Sequence, residues 1–196
     1  MILDKRAVNL KNCVLVAALL PLVFLVVRSY RGELTANPIE YVSQATGWWT
    51  LCFLSITLAI TPIRKLFKFQ WIFPLRRLFG LIAFFYACVH LATWVVLDQF
   101  FDFVSMLLDI KDRPYITIGM SAFVITSILA YTSRKSIRIA LGPQRWVHIH
   151  RLIYVIAILG VTHFYLIVKR DTTEPLVFAA IIAVLLAARF IARQKK

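Results

Sequence analysis

Four histidines, His90, His148, His150 and His163, carry most of the chemical interest in this 196-residue chain. His90 stands about 12 residues into an apolar stretch that opens at Leu78, and His163 about 15 residues beyond His148. At 1.5 Å of helical rise per residue these offsets are roughly 18 and 22 Å, so two histidines on separate helices reach a similar depth. An imidazole in such apolar surroundings needs a partner, and ionisable side chains of this kind mark ligand, ion or proton sites. Heme iron is one such partner. Two axial imidazoles would leave it no open position, which suits electron passage and not oxygen activation. Two other readings stay open on spacing alone: a histidine bonded to a neighbouring carbonyl, and a histidine relay for protons or solutes in a transporter.

A second centre is suggested by two further pairs. His150 precedes His163 by 13 residues and Arg77 precedes His90 by the same number, leaving about 20 Å between a deep and a shallow polar residue on each helix. That is room for a heme near each surface. On an ideal helix, however, 13 residues leave an offset of roughly 140°, whereas His148 is only about 60° from His163. Periodicity therefore favours His148 as the residue sharing a face with His163. Arg76 and Arg77 read either as basic anchors at a span end or as forked donors to heme propionates. Neither is a credible iron ligand, because a guanidinium stays protonated. Cys13, Cys52 and Cys88 follow no metal-binding spacing and read as small buried hydrophobes. No glycine-rich phosphate loop occurs, and no polar stretch is large enough for a nicotinamide domain. Electrons would have to come from another protein, or from a small carrier such as a quinol or a bound flavin.

The elements that must position these residues are membrane spans. Hydrophobic residues make up 61% of the sequence and charged residues 16%, with a mean hydropathy of +0.79. That excludes a soluble enzyme, a disordered chain and a small disulfide scaffold. Charge-free runs predict six helices at Asn12–Val27, Tyr41–Ile63, Leu78–Leu97, Pro114–Ser133, Leu152–Val168 and Pro175–Ala188. Arg189 interrupts the last, which is expected to continue to about Ala192. The runs are apolar on every side, unlike the alternating strands of a membrane barrel. The fold class is thus an all-α integral membrane protein, a six-transmembrane-helix bundle forming one domain over residues 1–196.

The formal net charge of +14 would suit nucleic acid in a soluble protein. Here it reads as topology: 17 basic residues fall on one side of the spans and 6 on the other, while eight of the nine acids fall opposite the majority. Both termini are therefore expected in the cytoplasm, with lipid and not nucleic acid as the surroundings. The first span is flanked like a signal peptide but lacks a convincing cleavage site, and is expected to be retained. Trp48, Trp49, Trp71 and Trp146 lie near span ends, as interface anchors do. Between the third and fourth spans, Asp98–Arg113 alternates acids with Phe100, Phe101, Phe103, Val104, Leu107, Leu108 and Ile110. It reads as an amphipathic helix resting in the outer interface, or as a docking surface for an extracytoplasmic partner.

Three stretches carry a resemblance. RRLFGL at Arg76–Leu81 followed by His90 in HLATW, RPYITIG at Arg113–Gly119, and LGPQRWVHIHRLIYVIAILGVTH from Leu141 to His163 occur in this order. Together they closely resemble the MsrQ (YedZ) family, the heme-binding membrane subunits of the bacterial protein-methionine-sulfoxide reductase system, within the wider ferric-reductase-like transmembrane group. The likeness covers nearly the whole chain. It implies a multi-pass protein of the bacterial inner membrane with one or two b-type hemes, relaying electrons outward to MsrP, a periplasmic molybdoenzyme that reduces oxidised methionine. Methionine sulfoxide is a reversible lesion, so its repair there needs reducing equivalents from inside. The family's ligands fall on His90 and His163 for an outer heme and on His150 for a second site, with Arg77 a participant in the inner site and His148 a bystander. The resemblance also implies FMN, and a cytosolic flavin reductase as donor. A nearer alternative is a metalloreductase that reduces ferric iron itself.

Overall fold

The computed structural model describes residues 2–168 and 171–194, with side chains described from residue 9 to 191. Lys169, Arg170, Lys195 and Lys196, all used in the charge count, lie outside the described residues, as do the side chains of Asp4, Lys5, Arg6 and Arg193. Helices in chain order are α1 (Ile2–Tyr30), α2 (Pro38–Phe67), α3 (Leu75–Ala92), α4 (Phe103–Asp112), α5 (Pro114–Thr132), α6 (Lys135–His150), α7 (Ile153–Ile167) and α8 (Thr173–Gln194). A 3₁₀ turn at Gln70–Ile72 precedes α3, and a π turn at Thr93–Asp98 extends it. No strand occurs among the described residues.

Among the described residues six segments are long and apolar enough to cross a membrane: Asn9–Tyr30, Pro38–Phe67, Gln70–Asp98, Pro114–Thr132, Lys135–Ile167 and Thr173–Ile191. Helices suit this solvent because each satisfies its own backbone. Their outward faces stay apolar, with Val16, Leu20, Phe24 and Val184 largely exposed, as lipid contact requires. At the centre α2 packs against α3, α7 and α8, while α5 packs against α7. Leu54, Leu58, Tyr86, Ile156, Ala157 and Phe178 form the core there. Tyr86 is fully buried and donates its hydroxyl to Ala18 O at 2.6 Å, tying α3 to α1.

Arg189 does not end the last span. It is 5% exposed and turned into the bundle. Pro62 stands inside α2, where a missing N–H and a bulky ring leave the carbonyl four residues back without its helical partner. That carbonyl is Leu58 O, and Arg189 supplies the donors: Nε at 3.0 Å and Nη2 at 2.8 Å. Nη2 also reaches Thr57 O and Thr61 Oγ1, and Nη1 the Tyr154 hydroxyl. A cation inside the bundle thus closes a gap in a neighbouring helix.

Two connections carry helices of their own. The basic stretch between the fourth and fifth charge-free runs forms α6, which with α7 makes up the segment Lys135–Ile167. It is kinked at Gly142, whose φ of +71° falls in the region glycine enters without a Cβ penalty, immediately before Pro143. The outer connector follows expectation in forming an amphipathic helix, α4. Asp102 caps it, accepting from Val104 N and Ser105 N, and Phe103, Val104, Leu107 and Leu108 are exposed.

Candidate functional site

α3 and α7 bring His90 and His163 together. Their ring centroids are 6.1 Å apart with planes inclined at 80°. Each ring is fixed at Nδ1 by a carbonyl from a different helix: His90 donates to Ser43 O on α2 at 2.9 Å, and His163 donates to Tyr115 O on α5 at 2.6 Å. Thr46 Oγ1 lies 3.3 Å from the same His90 nitrogen. A carbonyl only accepts, so each Nδ1 carries the hydrogen and each Nε2 keeps a free lone pair. This is the arrangement by which metal-binding histidines are oriented.

Two glycines make room for the rings. A Cβ on Gly47 of α2 would lie 3.1 Å from His90 Cε1, and one on Gly119 of α5 would lie 2.7 Å from His163 Cε1. A Cβ at 119 would be too close to the ring, so the imidazole or the α5 backbone would have to shift. Sequence reasoning missed both glycines. The signal was present, since glycine in a span marks a close approach of packed groups.

These residues fit an iron porphyrin. Two imidazoles binding one metal from opposite sides, with metal–nitrogen bonds of about 2 Å, place their ring centres about 6 Å apart. The donor set points the same way: among the described residues no group of three or more His, Cys, Asp or Glu side chains gathers to hold an ion. Two imidazoles alone under-coordinate a bare metal, whereas a macrocycle brings its own nitrogens.

The opposite end of the bundle, expected to face inward, is arranged differently. His150 Nε2 lies 3.1 Å from Thr132 Oγ1 on α5, and its ring stacks on Trp146 with centroids 4.0 Å apart. Trp146 in turn donates to Thr132 O at 3.1 Å. His148, which periodicity favoured, bonds Gln144 O of its own helix at 3.0 Å. The reason is a tightened turn between α6 and α7: Arg151 N and Leu152 N bond three residues back, to His148 O and Ile149 O, so the 100° step does not carry from one helix to the other. α3 is continuous from Leu75 to Ala92, and there the count holds. Arg77 is turned away from the face of His90 and lines a cavity of about 400 Å³ between α3 and α5, together with Leu81, Phe84, Tyr131 and Arg134. Arg76, about 40° from the face of His90 by the same count, lies near His150, Arg189 and Tyr154. Arg77 and His150 are thus not brought into one cluster.

A six-helix membrane bundle with paired intramembrane histidines is the architecture of a transmembrane redox domain. The family model described as ferric reductase like transmembrane component matches residues 46–161, a stretch that includes His90 and His150 and ends two residues before His163. More specific likenesses come from whole proteins. The chain is 47% identical over 190 residues to the protein-methionine-sulfoxide reductase heme-binding subunit MsrQ of Herminiimonas arsenicoxydans, covering 95% of this chain and 87% of that one. It is 49% identical over 180 residues to the protein of the same name from Rhodospirillum rubrum, covering 91% and 86%. A third, from Azospira oryzae, is 41% identical over 185 residues, covering 94% and 79%. The chain belongs to the MsrQ family of ferric-reductase-like membrane proteins.

Proposed function

We propose that this chain is the heme b electron-transfer subunit of a protein-methionine-sulfoxide reductase system in the bacterial inner membrane. On this reading it takes electrons from an inner-side donor, a cytosolic flavin reductase acting through FMN or a quinol. It hands them to a periplasmic molybdoenzyme of the MsrP type. Its relatives are named as heme-binding subunits of such a reductase. The observation that carries the reading is the pair of imidazoles 6.1 Å apart, each with Nδ1 committed to a carbonyl.

When bound, heme supplies a one-electron carrier whose potential the protein tunes through ligands, hydrogen bonds and burial. His90 and His163 would hold it, each presenting Nε2. Ser43 O and Tyr115 O fix the rings and raise their basicity as ligands. Gly47 and Gly119 keep the backbones of α2 and α5 out of the space the rings need. With His90 and His163 both committed to the group, the chain would supply electron passage to a partner and not oxygen activation. At the inner end His150 is the proposed ligand of a second site. Arg77 faces, with Arg134, a cavity whose lining contains no acid, a setting suited to an anionic group such as a propionate or a flavin phosphate.

The test is electron delivery across a bilayer. Vesicles carrying the protein, supplied with reduced flavin or quinol on the inner-face side, should reduce an MsrP-type enzyme on the other side at a rate that falls at least tenfold in His90→Ala. Reduction of a ferric chelate in preference to that enzyme would overturn the reading in favour of a metalloreductase.

A further inference from the structure

We propose that the indole N–H of Trp94 is a carboxylate-binding donor of the outer site, meeting a propionate of the heme held between His90 and His163. The inference rests on the heme reading above. Trp94 Nε1 is buried and has no hydrogen-bond partner among the described residues. A buried donor without an acceptor is costly and rare in folded proteins, so it points to a group that is not part of the chain.

Its position says what that group is. Trp94 follows His90 by four residues, which places it one turn further along the same helix face. In a regular α-helix four residues overshoot a full turn by about 40°. Here the backbone widens into the π turn at Thr93–Asp98, with Gln99 N donating to Trp94 O at 2.9 Å. Thr93 Oγ1 fastens the junction by donating to His90 O at 2.7 Å.

The chain's own nearby acids are engaged elsewhere. Asp109 pairs with Arg113 at 3.2 Å and accepts from Gln99 at 2.8 Å. Asp98 also accepts from Gln99, and Asp102 caps α4. A b-type heme brings two carboxylates into a site with little water, and each needs charge-assisted donors to remain ionised there. The indole N–H is a donor of the matching kind.

The experiment loads the protein, expressed under heme limitation, with either protoheme or its dimethyl ester, and measures heme loss to excess apomyoglobin. With protoheme, Trp94→Phe should release heme about tenfold faster than wild type, the scale of one hydrogen bond to a charged group. With the ester, which has no carboxylate, the two proteins should release at the same rate. In wild type alone, the ultraviolet resonance Raman band of the indole N–H should shift on loading protoheme and not on loading the ester, a readout that needs no variant. Equal release by Trp94→Phe and wild type with protoheme, or an equal effect of the variant with both porphyrins, would overturn the proposal. A wild type that takes up neither porphyrin would overturn the heme reading beneath it and the proposal with it.

Discussion

At the residue scale, the account turns on how closely the two imidazoles are gripped. Gly119 is the tighter constraint, with a Cβ placed 2.7 Å from His163 Cε1, against 3.1 Å from His90 Cε1 for Gly47. The first distance forces a shift, and a shift of the ring would strain its 2.6 Å bond to Tyr115 O. Gly119→Ala is therefore expected to lose most of its heme, and Gly47→Ala to keep heme with an altered spectrum; heme-to-protein stoichiometry and the Soret band of the two purified variants check this. His148→Ala should retain the wild-type spectrum, since that side chain bonds only its own helix, whereas His150→Ala should disturb any inner centre; equal spectra for all three proteins would remove His150 from the site. The histidine pair was legible in the sequence because depth along a span is fixed by residue count. What holds the rings was not. Ser43 and Tyr115 act through backbone carbonyls, which leave no mark on residue type.

At the element scale, the proline gap in α2 and its guanidinium stopper form one unit. Arg189→Gln leaves Leu58 O short of donors inside the bundle and is expected to cost about 2–4 kcal/mol. In a Pro62→Ala background residue 62 regains an N–H for Leu58 O, and the same substitution should cost at least about 1 kcal/mol less. Thermal unfolding of the four proteins in detergent measures the cycle, and strictly additive effects would contradict the pairing. The sequence marked Arg189 only as an interruption, because a buried arginine becomes explicable once the vacated carbonyl on another helix is known. A related blindness affected the inner histidines. Angular counting works within α3 and fails between α6 and α7, where the turn tightens at Arg151 and Leu152. Nothing in RWVHIHRLIY announces that junction, since Arg151 and Leu152 are themselves good helix formers.

At the scale of the whole molecule, six crossings would put both ends of the described chain on one face of the membrane, and the distribution of basic residues predicts that this face is cytoplasmic. A fluorescent protein fused after the last residue should mature, and alkaline phosphatase fused within α4 should be active; the reverse pattern would invert the proposed direction of electron flow. The span count was readable from charge-free runs because hydrocarbon tolerates so few arrangements. α6 was less so, since its mean composition is balanced between apolar and basic residues, and a helix of that kind carries no charge-free run. On the proposed reading two imidazoles, brought level by α3 and α7, hold a low-spin heme. The most direct measurement of that claim is the absorption and low-temperature EPR spectrum of the purified ferric protein beside His90→Ala and His163→Ala. A bis-imidazole low-spin signal in wild type, reducible and absent from both variants, is the expected result. A colourless wild type after expression with ample heme, or an unchanged signal in either variant, would contradict it.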